Sequence, residues 1–116
     1  VSAGPRGGSR HWRNQRLTAL ALVPLAFWFL AALLRQPAFD HATISGWLAR
    51  PLQALLSALF GAALLWHSMQ GIQVVLEDYV GGRLHAVCLT VARLLHLLGA
   101  VALGFAVIVL LRSGAG

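Results

Sequence analysis

Lysine is absent from this 116-residue chain, and acidic residues occur only at Asp40, Glu77 and Asp78. All nine basic residues are arginines, and charged residues make up just 10% of the sequence. The resulting net charge of +6 does not have the setting of a nucleic-acid interface. Such interfaces place basic patches on a polar, soluble domain; here the arginines punctuate long apolar runs. Their placement reads as membrane topology. Cysteine occurs once, at Cys88, which excludes an internal disulfide and a cysteine-rich metal site. Cys88 is expected to pack as a small apolar residue in a helix. Period-two alternation is missing and Leu and Ala dominate, so a β-strand architecture is excluded.

What the chain has in excess is hydrophobic residues, 59% of the total, gathered into three blocks. Residues 17–34 carry no formal charge and would form about 27 Å of helix, close to a hydrocarbon core of about 30 Å. Residues 51–76 are also uncharged, and 84–111 are apolar apart from Arg93 and two histidines. A globule of this size has too little interior to hide three such helices on all sides. The expected fold is an all-α membrane protein. A basic tail and interfacial segment over 1–16 leads into a three-helix anchor over 17–116, with spans at about 17–35, 51–77 and 84–111.

The first span follows Arg6, Arg10, Arg13 and Arg16, as a signal peptide would. It is long, however, and lacks a clear small-residue cleavage site, so it reads as a retained helix. Residues 1–9 read as a loose tail. Pro24 is expected to kink the first span, which neighbouring helices make tolerable in a membrane. Residues 36–50 read as a loop with Trp47 as an interfacial anchor. Residues 78–83 read as a short connection turning at Gly81-Gly82. Arginine placement favours a cytoplasmic N-terminus and a C-terminus on the opposite side.

The spacing with most chemical content is His67 followed eleven residues later by Asp78 and Tyr79. Eleven helical residues return almost to the same face, about 16 Å further along the axis. A membrane-buried imidazole is a natural haem ligand, and the small Ala63 and Gly71, one turn either way, would let a flat macrocycle approach the backbone. A histidine hydrogen-bonded to another helix is the alternative. An acid and a phenol at the water boundary suit a group that takes up electrons and protons, or they simply end a helix. His96 lies at a depth similar to that of His67 when counted from Gly81-Gly82, so one chain can in principle supply two ligands. His11, His41 and His85 lie near water and read as surface residues. Arg93 can snorkel to the cytoplasmic interface or pair with a haem propionate.

The run His67-Ser-Met-Gln-Gly71-Ile-Gln-Val-Val-Leu-Glu-Asp78-Tyr79-Val80 resembles the signature of the hydrophobic membrane-anchor family of succinate dehydrogenase, respiratory Complex II. That pattern has a His, ten residues, then Asp-Tyr, with Gly four after the His and Gln-Val ahead of the Asp-Tyr, here Gln73-Val74. The leader His11-Trp-Arg-Asn-Gln15-Arg16-Leu-Thr18-Ala19 resembles the entry to the first helix in the alphaproteobacterial and mitochondrial-like branch. The resemblance covers nearly the whole chain. It implies that His67 is an axial ligand of a haem b shared with a histidine of a second membrane anchor. It implies that Tyr79 contacts ubiquinone and that Asp78 supports that site. Arg16 matches the arginine ahead of the family's first helix and would lie near the haem propionates, a role for which Arg13 is equally available. The family pattern has no ligand at His96, which is therefore expected to pack or to hydrogen-bond.

The function implied is that of a membrane anchor in succinate:ubiquinone oxidoreductase. Its partners would be a flavoprotein carrying FAD, an iron–sulfur protein with its clusters, the second membrane anchor and the lipid bilayer, without nucleic acid. The chain itself would perform no succinate chemistry and would contribute no catalytic residue. A bacterial inner membrane is expected in preference to a mitochondrial one. A menaquinone-linked fumarate reductase anchor and a haem-free structural anchor are the competing readings.

Overall fold

The computed structural model describes residues 6–114, with side chains for Arg10 and for 12–114. The described residues form four α-helices and no strand: α1 (Arg6–Leu34), α2 (His41–Leu48), α3 (Pro51–Tyr79) and α4 (Gly82–Gly114). The apolar stretches Trp12–Leu34, Pro51–Tyr79 and Gly82–Gly114 are each long enough to cross a bilayer. Three spans were expected, and all three are present.

Helix ends follow local chemistry. α1 starts at Arg6, so Arg10, Arg13 and Arg16 lie on the first turns of the spanning helix itself. The tail expected over 1–9 falls partly on residues 1–5, outside the described residues, as does the side chain of His11. Pro24 sits within an unbroken α1. At its far end, the Gln36 side chain donates to the Ala32 carbonyl at 2.8 Å, satisfying one of the carbonyls a helix terminus leaves open. The segment 36–50, expected to be a loop, contains the short helix α2. Asp40 caps it, accepting from the Thr43 N–H and the Thr43 hydroxyl, both at 2.9 Å. Pro51 then opens α3 in its first turn, where its missing N–H costs nothing.

α3 packs against both α1 and α4. Its pairing with α4 is antiparallel and uses small residues. Gly61 faces Leu103, and Gly99 faces Leu65 closely enough that an added Cβ would lie 3.1 Å from it. Close backbone approach through small residues is how helices associate where no hydrophobic drive operates between them. Only Trp47, Ala54 and Ala92 are buried hydrophobics among the described residues. Trp47 is thus not an outward anchor: it is 5% exposed and packs on Trp28 and Phe29, with ring centroids 6.2 and 5.7 Å away. Aromatic rings in α1 reach it because α2 folds back over the end of the bundle.

The α3–α4 connection is tighter than expected. α3 continues through Asp78 and Tyr79, and only Val80 and Gly81 separate it from α4. Gly82 makes the turn with φ of +63°, a conformation that carries little penalty for glycine.

Candidate functional site

Thr18 carries the one hydroxyl in the uncharged stretch 17–34, and it sits opposite His67. The antiparallel run of α1 against α3 brings the Thr18 hydroxyl to 3.1 Å from Nδ1 of His67. The same oxygen is 2.9 Å from the Gln15 carbonyl and 3.2 Å from Oε1 of Gln70. On the other side of α3, Ser68 lies 3.1 Å from Nε2 of His96. Polar groups from all three spans therefore meet at one level. His67 faces α1, and its sequence neighbour Ser68 faces α4.

The two histidines differ in what their ring nitrogens meet. Nδ1 of His96 is 2.8 Å from the Ala92 carbonyl, which can only accept, so Nδ1 carries the proton and donates. Nε2 is then a lone pair, and the Ser68 hydroxyl donates to it. Both nitrogens are engaged, which agrees with His96 as a hydrogen-bonding residue. Nε2 of His67, in contrast, has no hydrogen-bond partner among the described residues, while Nδ1 is held by Thr18. His67 also lines a surface groove of about 370 Å³ with Ser68, Gly71, Ile72, Val75 and Leu76. A Cβ added at Gly71 would meet nothing within 4 Å, so this side of α3 is open where the flat face of a ligand would lie. An imidazole with one nitrogen fixed and the other open, beside an open glycine, fits a haem. No group of three or more His, Cys, Asp or Glu side chains gathers among the described residues.

Asp78 and Tyr79 occupy the last turn of α3. Both are exposed, Tyr79 to 84%. The carboxylate and the phenol are thus free to meet another molecule at this end of the bundle. Gln73, one turn earlier, donates to Glu77, the neighbour of Asp78, at 2.9 Å. Arg16 is exposed and lies over the Trp12 ring, 4.5 Å from its centroid. The structure thus places it near the start of the first span, on the approach to Thr18, without contact to His67.

His85 corrects an expectation. It is half-buried, not a surface histidine. Its Nδ1 lies 3.1 Å from both the Leu76 and Val80 carbonyls, so it donates to backbone at the end of α3 and ties α4 to the Asp78-Tyr79 turn. Thr18, Ser68 and His85 gain their roles only in the folded chain. Thr18 had a signal in the sequence: a lone hydroxyl in an otherwise apolar span. His85 had none, because its partners are backbone carbonyls.

The model of the succinate dehydrogenase/fumarate reductase transmembrane subunit family matches residues 3–111. The chain belongs to this family. It is 37% identical over 75 residues to the succinate dehydrogenase hydrophobic membrane anchor subunit of Rickettsia bellii, covering 65% of this chain and 60% of that one. To the same subunit of Rickettsia felis it is 34% identical over 73 residues, covering 63% and 61%. The succinate dehydrogenase membrane anchor subunit of Reclinomonas americana is 31% identical over 88 residues, covering 66% and 67%. The matched stretch thus spans about three fifths of the Rickettsia proteins. Family membership and the three spans agree with the resemblance drawn from His67, Gly71, Asp78 and Tyr79.

Proposed function

We propose that this chain is the hydrophobic membrane anchor of a succinate:ubiquinone oxidoreductase in a bacterial inner membrane, with its N-terminus in the cytoplasm. In this reading His67 is an axial ligand of a haem b, Tyr79 binds the quinone and Asp78 supports that site. The observation that carries it is the setting of His67: Nδ1 held by Thr18, Nε2 without a hydrogen-bond partner among the described residues, and the residue lining a groove with Gly71. The names of the relatives favour succinate dehydrogenase over the fumarate reductase that the family also includes.

The partners would be a second membrane anchor, whose histidine would be the other haem ligand, an iron–sulfur protein and a flavoprotein that holds FAD. A haem held by His67 would supply one-electron redox chemistry. The chain's own residues bind and orient. The Tyr79 hydroxyl, at the exposed end of α3, donates to a quinone oxygen as negative charge grows there. The Asp78 carboxylate, beside it and exposed, holds that polar site and passes protons inward from the cytoplasmic side. His85 keeps the turn in place. Arg16, held over the Trp12 ring, would serve the haem propionates.

The test is a reduced-minus-oxidised visible spectrum of the purified complex carrying His67→Ala or His96→Ala. His67→Ala should remove most of the b-type haem signal per flavin, while His96→Ala should retain it. Wild-type haem in the His67 variant would make this chain an anchor without a haem ligand. Equal loss in both variants would assign both ligands to this chain.

A further inference from the structure

We propose that Thr18 selects the tautomer of His67 and turns its Nε2 toward the iron; the inference rests on His67 being the haem ligand. The Thr18 hydroxyl has one proton and three neighbours: the Gln15 carbonyl, the Gln70 side-chain oxygen and Nδ1 of His67, at 2.9, 3.2 and 3.1 Å. Two of these neighbours, the carbonyl and the amide oxygen, are acceptors. Giving the proton to either leaves the hydroxyl oxygen facing Nδ1 with a lone pair, and His67 must then donate through Nδ1–H. Giving it instead to Nδ1 would set the hydroxyl lone pairs against the Gln70 oxygen. The shortest of the three contacts is the one to Gln15. The arrangement therefore favours protonated Nδ1 and a bare Nε2.

That choice matters because a metal binds the nitrogen without the proton, and the hydrogen bond of the other nitrogen sets the ring's tautomer and orientation. A second consequence is mechanical. Thr18 stands on α1 and His67 on α3, so the ligand is pinned from a neighbouring helix and not from its own. Rotation of the ring away from Thr18 would break the contact. Thr18 is thus a positioning residue: it acts on the iron only through His67.

The experiment compares Thr18→Val, which keeps the branched shape and removes the hydroxyl, with Thr18→Ser, which keeps the hydroxyl. In the assembled complex, Thr18→Val should weaken haem retention by about tenfold, the lower end of what loss of a ligand's hydrogen-bond partner costs. It should also shift the haem midpoint potential and broaden the low-spin electron paramagnetic resonance signal. Thr18→Ser should restore all three. A second measurement needs no assembly: nitrogen-15 spectra of histidine-labelled full-length chain in lipid vesicles. Wild type and Thr18→Ser should show His67 protonated at Nδ1, and Thr18→Val should lose that preference. Unchanged haem retention, potential and tautomer in Thr18→Val would overturn the proposal. So would a Thr18→Ser variant as impaired as Thr18→Val, since packing and not the hydroxyl would then be at work. His67→Ala, run in parallel, separates the two claims: haem lost there with Thr18→Val unaffected sinks only the role of Thr18, whereas haem retained there sinks the ligand assignment itself.

Discussion

Tyr79 and Gly71 show how single side chains in α3 can be tested apart from one another. Tyr79 is the only tyrosine in the chain, and its hydroxyl is free at the helix end. Tyr79→Phe keeps the ring and removes one hydrogen bond, worth on the order of 1 kcal/mol, so quinone reduction should fall about fivefold. Succinate oxidation by an artificial dye should be unchanged, because the dye accepts electrons before the quinone site. Haem content should also hold, since twelve residues place Tyr79 about 18 Å along the axis from His67. Wild-type quinone kinetics in this variant would reduce the Asp78-Tyr79 pair to a helix end. Glycines 61 and 71 lie on the same helix but meet different surroundings. An added Cβ at Gly61 would lie 2.9 Å from Leu103, whereas at Gly71 it would meet nothing in this chain. Gly61→Leu should therefore lower thermal stability by about 1–3 kcal/mol through overpacking, and Gly71→Leu should instead lower haem per flavin while the complex stays assembled. A melting curve and a haem spectrum on each variant distinguish these outcomes.

At the scale of the element, α2 is the part whose existence depends on a cap and one packed ring. Its eight residues are too few to be stable as an isolated helix, so the Asp40 cap and the seat of Trp47 on α1 must hold it. The Thr43 backbone N–H, and then the Thr43 hydroxyl, lower the Asp40 pKa from its ordinary value of 3.8. A depressed carboxylate contributes stability above the ordinary value, and this is lost as pH falls through the lower folded value. Hydrogen-exchange protection of the Thr43 amide should accordingly be constant at neutral pH and decline below pH 3.8. Asp40→Ala should abolish that dependence and speed exchange at neutral pH, while Asp40→Asn should retain much of the protection, because the amide oxygen still accepts. An Asp40→Ala chain with wild-type exchange would place the stability of α2 entirely in Trp47.

As a whole molecule, the chain presents to its surroundings what a water-soluble protein would bury. Phe27 is 73% exposed, Phe105 69% and Leu98 65%. Helices that are apolar on every side need lipid or another apolar helix around them, and the partner anchor would cover part of this surface. The arginine distribution predicts which end faces the cytoplasm. A reporter fused after Gly116 should be active only in the compartment opposite the cytoplasm; activity restricted to the cytoplasm would invert the topology. Inversion would also put Asp78 and Tyr79 on the wrong side to meet a cytoplasmic iron–sulfur protein.

The number of spans and the spacing of His67 to Asp78-Tyr79 were legible in the linear chain. They depend on hydropathy and helical periodicity, which are properties of neighbours in sequence. The short helix α2 was not, because its apolar pattern is brief and Trp47 reads equally as a lipid-facing anchor or a packed ring. Nor was the difference between His67 and His96 open to derivation from spacing, since both lie at one depth in apolar helices. What separates them is which nitrogen meets Thr18, Ser68 or a carbonyl. Those partners lie up to 49 residues away in the chain, and the register of three antiparallel helices brings them together. Sequence by itself determined that this is a three-span membrane anchor with a histidine deep in its second span. Tertiary structure alone decided which nitrogen of that histidine is held and which is left open, because hydrogen bonding depends on positions in space to within a few tenths of an ångström.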